Sequence, residues 1–306
     1  MKKILTLVLL LCCISVSDMS ARKLAKHVIM VGIDGWSAEG VRKADMSQMP
    51  NVQYLMDNGA WTLKKRSVMP SASAINWATM FMGTPTEMHG FDKWNSTKGT
   101  IPSTTDNGHG IPPTIYTILR QQFPKAELGL ACDWKGVGAV ADTLAMDFYK
   151  YVGTYKGKQV VITPEDYTEI AVNYIKEKKP TFFTFYYGLP DNMGHNYGWC
   201  SPEYNQSQYD VDKGIGMIIQ AIKDAGIFDD TIIIISADHG GKGKGHGKFT
   251  LEELETPFIV FGKKVKKGYE FTLPMIQYDT AATIAYILGA KIPEDWRGKP
   301  TTEIFK

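Results

Sequence analysis

Residues 232–248 read IIIISADHGGKGKGHGK, and within them Asp238, His239 and His246 are groups that bind divalent transition metals. A carboxylate and neutral imidazoles suit zinc that must stay Lewis acidic and keep a position open for substrate. The unbroken run of isoleucines suits a strand covered on both faces. The glycines after it suit a loop with unusual backbone angles. The strand then serves as a rigid mount, and the loop at its end carries the ligands. One loop supplies too few groups for a complete site, so the other ligands must come from elsewhere in the chain.

Three further stretches hold chemistry-bearing residues: VGIDGW (31–36), PSASAINWATMFMGTPTEMHG (70–90) and LPDNMGHNYG (189–198). Taken singly, each is ambiguous. An Asp-Gly after a strand is a common turn. Ser71 or Ser73 before a helix is a common cap. Lys242, Lys244 and Lys248 read as a solvated, glycine-spaced loop, and His89 as part of a helix-ending turn.

The elements that must position these residues alternate between strand and helix. The apolar patterns predict strands over 27–33, 61–68, 127–131, 181–187, 232–236 and 256–261. Helices are expected over 50–58, 73–82, 113–122, 164–179, 203–225 and 278–288. Residues 92–111, rich in Gly, Pro, Ser, Thr and Asn, read as a long loop. Such alternation implies an α/β fold with a mostly parallel central sheet and helices on both faces. Asp34, Asp191 and the Asp238-His239 pair each follow a strand, and in open α/β sheets sites form beyond the carboxyl ends of the strands.

The chain has 306 residues, enough for one large domain, and its formal net charge of +2 gives no argument for a nucleic acid polymer as partner. Lys2 and Lys3 precede an apolar run from Ile4 to Val16, followed by small residues. This is the layout of a secretory signal, with cleavage near Ser15-Val16-Ser17. The expected organisation is therefore a signal over 1–20 and one domain over 21–306. The product would be exported, periplasmic or secreted, with no transmembrane anchor after processing. Lipid attachment at Cys12 ranks lower, because the residue before it is Leu11. Cys132 and Cys200 would remain, and sequence alone does not place them close enough to pair.

The order and spacing of the four stretches resemble the alkaline phosphatase superfamily, and within it the type I phosphodiesterase / nucleotide pyrophosphatase branch. The similarity runs from Val28 to Ala285, and its most specific parts are the D-x-x-x-H of Asp191–His195 and the D-H-G…H-G of Asp238–His246. This resemblance implies two zinc ions, one held by Asp191, His195 and His246, the other by Asp34, Asp238, His239 and the Ser73 oxygen. It makes Ser73 the nucleophile, three residues before Asn76, and implies a covalent phosphoseryl intermediate. Two zincs at roughly 4 Å would grip both the attacking and the leaving oxygen of a small phosphoester substrate. A helix starting at Ser73 would add backbone N–H donors.

The departures from the family bear on specificity. Sulfatases share the fold, but their nucleophile is followed by x-Pro-x-Arg, whereas Ser73 is followed by Ala-Ile-Asn-Trp. Nucleotide pyrophosphatases carry an aromatic residue and a proline after the nucleophile, where this chain has Ala74 and Ile75. The family's phosphate-contacting asparagine falls near FDKWNS: Asn95 is the candidate, while Trp94 occupies the exact offset. Trp77, Trp94, Tyr187, Tyr197 and Trp199 either form an aromatic pocket or simply pack. A phosphomonoesterase and a non-catalytic binder of phosphate ligands stand as alternatives to a phosphodiesterase. The monoesterase would need a cation over the phosphate, and Arg66, Arg120 and Arg297 lie outside the motifs.

Overall fold

Eight strands form one sheet in the computed structural model, which describes residues 23–156 and 159–306. They are β1 (His27–Ile33), β2 (Ala60–Arg66), β3 (Leu128–Cys132), β4 (Phe148–Tyr151), β5 (Phe182–Tyr187), β6 (Thr231–Ser236), β7 (Glu255–Phe261) and β8 (Tyr269–Glu270). Their spatial order is β8-β2-β7-β6-β1-β5-β3-β4. Only β7 runs against its neighbours, pairing antiparallel with both β6 and β2. A small antiparallel pair, Tyr155–Lys156 with Gln159–Val160, stands apart. The expected signal over 1–20 lies outside the described residues. Among those described, no helix is long and apolar enough to cross a membrane.

Strand parity sorts the core into two halves, because successive side chains point to opposite faces of a sheet. Val28, Met30, Ile232, Ile234, Phe182 and Tyr186 face one cluster with Trp77, Phe81, Tyr116 and Ile284. That side is covered by helices Ser73–Met82, Ile115–Gln122, Lys135–Val140 and Asp279–Leu288. Ile29, Val31, Ile233, Ile235, Phe183 and Phe185 face the other, with Val52, Tyr167, Val211 and Ile218. Helices Pro50–Asn58, Pro164–Lys178 and Pro202–Asp224 cover that side. Each isoleucine of β6 so buried contributes roughly 2 kcal/mol, and the strand that leads into Asp238 is thereby fixed between two layers.

β6, β1 and β5 are adjacent and parallel, with Ile29 paired to both Ile233 and Phe183. Their carboxyl ends therefore emerge at one edge, and so do Asp238, Asp34 and Asp191. Helix Pro202–Asp224 is capped by Ser201, whose side chain accepts from the Tyr204 amide, and Thr114 forms a capping box with Thr117. Cys132, buried, and Cys200, half-buried, are free thiols.

Candidate active site

The three loops that carry Asp34, Asp191 and Asp238 are stitched together by hydrogen bonds from their backbone amides. The Asp191 amide donates to the Asp34 carbonyl at 3.1 Å, and the Gly35 amide to Asp238 Oδ1 at 3.1 Å. Gly35 has φ +64°, and a Cβ there would lie 2.8 Å from Asp191. The crossing of these loops thus requires glycine on both counts. Asp34 Oδ2 accepts from the Tyr186 hydroxyl and from Trp77 Nε1 (3.2 Å), which leaves Oδ1 turned to Ser73 and His239.

Ser73 is the first residue of helix Ser73–Met82, behind an extended Ala72 at the cap position with no side-chain cap bond. Its Oγ lies 3.1 Å from His239 Nε2 and 3.5 Å from Asp34 Oδ1. Asn76 ties down the turn before it: its Oδ1 accepts from the Val68 amide at 2.7 Å, and its Nδ2 donates to the carbonyls of Val68, Pro70 and Ala72. Ser71 is not the cap. Its Oγ accepts from the Gly247 amide at 3.1 Å and lies 3.1 Å from the Lys248 carbonyl, binding the turn to the histidine loop.

Two knots of side chains flank Ser73. In one, His246 Nε2 lies 3.1 Å from His195 Nε2 and 3.8 Å from Asp191 Oδ1, and His195 Nε2 lies 3.5 Å from Asp191 Oδ2. In the other, His239 Nε2 lies 3.3 Å from Asp238 Oδ2 and 3.6 Å from Asp34 Oδ1. His239 also stacks on His246 at 3.8 Å, so Asp191, His239 and His246 bring ligand atoms within 4.8 Å of one another as well. The knots share a wall at His239.

The tautomers follow from chemistry. Nδ1 of His195, His239 and His246 faces the carbonyl of Lys244 (3.1 Å), Gly240 (2.8 Å) and Ser71 (2.8 Å) respectively. A carbonyl only accepts, so each Nδ1 carries the hydrogen. Burial pushes both His239 and His246 down to about 3, which keeps these rings neutral with a lone pair on Nε2. The His246 Nε2 faces His195 Nε2 and Asp191 Oδ1, and the His239 Nε2 faces the carboxylates of Asp238 and Asp34. Burial in turn raises the carboxyls of Asp34, Asp191 and Asp238 above their ordinary value. Asp191 Oδ1 and Asp238 Oδ2, one in each knot, are buried without a hydrogen-bond partner among the described residues. Crowded acceptors with orphaned oxygens are unfavourable alone and fit divalent cations, and backbone carbonyls holding the far ring nitrogen are the usual support of metal-ligating histidines.

A cavity of about 850 Å³ opens over Ser73, lined by Asp34, Asp191, His195 and His246 together with residues the sequence motifs did not single out. Those include Asp133, Trp134 and Tyr151, at the ends of β3 and β4, and Tyr186. Burial pushes Asp133 up to about 7, although its carboxylate accepts from Thr154 Oγ1 and the Gly188 amide. Trp94 lines the cavity, whereas Asn95 is exposed and outside its lining. The Trp94 carbonyl takes the Ala74 amide at 3.0 Å, so that first-turn donor is not free for a phosphate. Of the other aromatics, Trp77, Tyr187 and Trp199 pack in the interior, and Tyr197 is exposed outside the lining. Lys242 pairs with Glu252 and Lys244 Nζ donates to the Asn196 carbonyl, both away from the cavity. His89 accepts the Phe91 amide at Nδ1 inside the core.

The family model described as type I phosphodiesterase / nucleotide pyrophosphatase matches residues 28–256. Ectonucleotide pyrophosphatase/phosphodiesterase family member 1 of Mus musculus is 23% identical over 221 residues, 69% of this chain and 24% of that protein. The venom phosphodiesterase CdcPDE of Crotalus durissus collilineatus is 26% identical over 225 residues, 70% of this chain and 26% of that protein. The chain thus spans about a quarter of the length of these curated relatives. An inactive variant of murine ectonucleotide pyrophosphatase / phosphodiesterase 5, in complex with AMP, superposes with a TM-score of 0.72 at 17% identity, covering 92% of this chain and 100% of that one. A 2-O GAG sulfatase superposes with a TM-score of 0.74 at 13% identity, covering 92% and 74%. At these identities the likeness is one of fold.

Proposed function

The chain belongs to the type I phosphodiesterase / nucleotide pyrophosphatase family, and from that membership we propose that it is a zinc-dependent phosphodiesterase whose nucleophile is the Ser73 hydroxyl. The observation that carries this reading is the place of Ser73 Oγ. It sits at a helix start, 3.1 Å from His239 Nε2, beside two acceptor-rich knots and under the cavity. Asp191, His195 and His246 would hold one zinc; Asp34, Asp238, His239 and Ser73 would hold the other. Bound there, the ions would lower the pKa of the Ser73 hydroxyl and neutralise charge on the phosphoryl oxygens.

The chain's own residues supply position. Asn76 fixes the turn that carries Ser73, and Trp77 and Tyr186 hold one oxygen of Asp34 so that the other faces the serine. The Ser73 oxygen forms a bond to phosphorus as the bond from phosphorus to the leaving oxygen breaks. Water then displaces the serine oxygen, so two displacements restore the enzyme. Turnover of bis-p-nitrophenyl phosphate by the zinc-loaded chain, lost on chelation and restored by zinc, is the expected result. A chain with full zinc and no turnover would be a binding protein, and undiminished turnover by metal-free protein would remove zinc from the mechanism.

A further inference from the structure

Beyond Ser73 and the proposed ligands, the cavity wall presents Trp94, Trp134, Tyr151, Asp92, Asp133 and Asn192. Among the described residues, no lysine or arginine belongs to the lining. Of the two acids, Asp133 is held in place and Asp92 is exposed. Asp133 Oδ1 accepts the Gly188 amide at 2.7 Å and Oδ2 the Thr154 hydroxyl at 2.8 Å, neutral donors that bring no counter-charge. Trp134 lies against Gly136, where a Cβ would come within 2.3 Å of the indole. Trp94 is tied through its carbonyl to the first turn of the Ser73 helix.

We propose that this wall selects phosphodiesters whose leaving group carries no negative charge, stacks on Trp94 or Trp134 and donates hydrogen bonds to Asp92 or Asp133. The inference rests on the phosphodiesterase reading and specifies its substrate class. A polyol and a primary ammonium head share the required chemistry: both present donors to carboxylates, and both lie comfortably against an indole face. A nucleoside polyphosphate would bring extra negative charge to the exposed Asp92 and, where it is ionised above about pH 7, to Asp133. Like-charge juxtaposition of that kind weakens recognition. A phosphomonoester carries a second charge that no cationic side chain among the described residues of the wall neutralises. Selection at this wall therefore disfavours both.

The test compares kcat/KM of the zinc-loaded full chain for glycerophosphoglycerol, glycerophosphoethanolamine, ATP and p-nitrophenyl phosphate, with bis-p-nitrophenyl phosphate as reference. At least one glycerophosphodiester is expected to exceed ATP by about tenfold or more, and the better of the two identifies polyol or ammonium as the source. Asp133→Asn and, separately, the exposed Asp92→Asn should each narrow that ratio. Asp92→Asn keeps the test valid if Asp133→Asn misfolds. ATP preferred over both diesters, or ratios unchanged in both variants, overturns the inference while leaving the phosphodiesterase reading intact. If the reference diester is not turned over, that reading fails instead. The same ratio is then read as Kd by calorimetry, and tighter binding of ATP than of either diester overturns the inference.

Discussion

Replacing Ser73 by alanine separates attack by the serine from attack by water. In folding terms the loss is small. Ala72, not Ser73, occupies the cap position, and the substitution removes a contact to His239 at 3.1 Å and a longer one to Asp34 Oδ1 at 3.5 Å. A hydrogen bond of that kind contributes about 1 kcal/mol net. Six side chains of the proposed zinc sites remain. In catalytic terms the loss is the atom that bonds to phosphorus, and a fall in kcat of about 1,000-fold or more, roughly 4 kcal/mol of barrier, is expected. Ser71→Ala is the control. It deletes the hydroxyl that joins Gly247 and Lys248 but keeps the carbonyl that holds His246 Nδ1. The assay is kcat on bis-p-nitrophenyl phosphate beside zinc content and a urea unfolding curve for each variant. Ser73→Ala with both metals bound and near-normal kcat would refute the reasoning, and an inactive Ser71→Ala beside it would shift the nucleophile by two residues.

Three further outcomes are expected. Chelation should lower the thermal midpoint and zinc should restore it, saturating at two equivalents, because Asp191 Oδ1 and Asp238 Oδ2 are otherwise buried without partners among the described residues; a midpoint indifferent to zinc contradicts the assignment. His89, whose folded pKa is lowered by burial to about 4, stabilises the fold fully above its unfolded value near 6.5 and loses that contribution as pH falls toward 4. The stability gap between wild type and His89→Gln, measured in urea, should therefore shrink by up to about 3 kcal/mol between pH 7.5 and pH 4, and a constant gap would show that the ring titrates normally. Gly136→Ala drives a methyl into the Trp134 ring, so KM should rise for substrates that reach this wall with little change in metal content; an unchanged KM would place Trp134 outside substrate contact.

The strands that carry ligands were legible because each is buried on both faces and reads as an unbroken apolar run. β1 spans His27–Ile33 as expected, and β6 and β7 lie within a residue of expectation at either end. β4 was not expected: at the sheet edge Phe148–Tyr151 is largely exposed, so burial writes no apolar run into it. Nor was helix Asp191–Tyr197, seven residues long, which is set by the loop crossing at Gly35 more than by its own pattern. The cavity wall was the least legible part. Tyr186 and Tyr187 are neighbours in an apolar run, and only parity sends Tyr186 to the Ser73 side and Tyr187 to the other. Asp133 and Trp134 follow β3 as Asp34 follows β1, the one signal that could have found them. Trp94 reaches the cavity through a loop whose path no local pattern encodes.

The proposed ligand sets draw on the chain from Asp34 to His246, and Ser73 lies between the stretches that hold Asp34 and Asp191. No short fragment could hold a metal as a zinc finger does, and contacts of such long range form late in folding. The metals would thus load into a chain already folded around β6, β1 and β5. A nascent polypeptide stopped anywhere before residue 246 would carry an incomplete set in the first knot. Metal supply would then govern the yield of active molecules without governing whether the sheet forms, and the metal-free folded chain would be a distinct species, ready to be charged after synthesis is over.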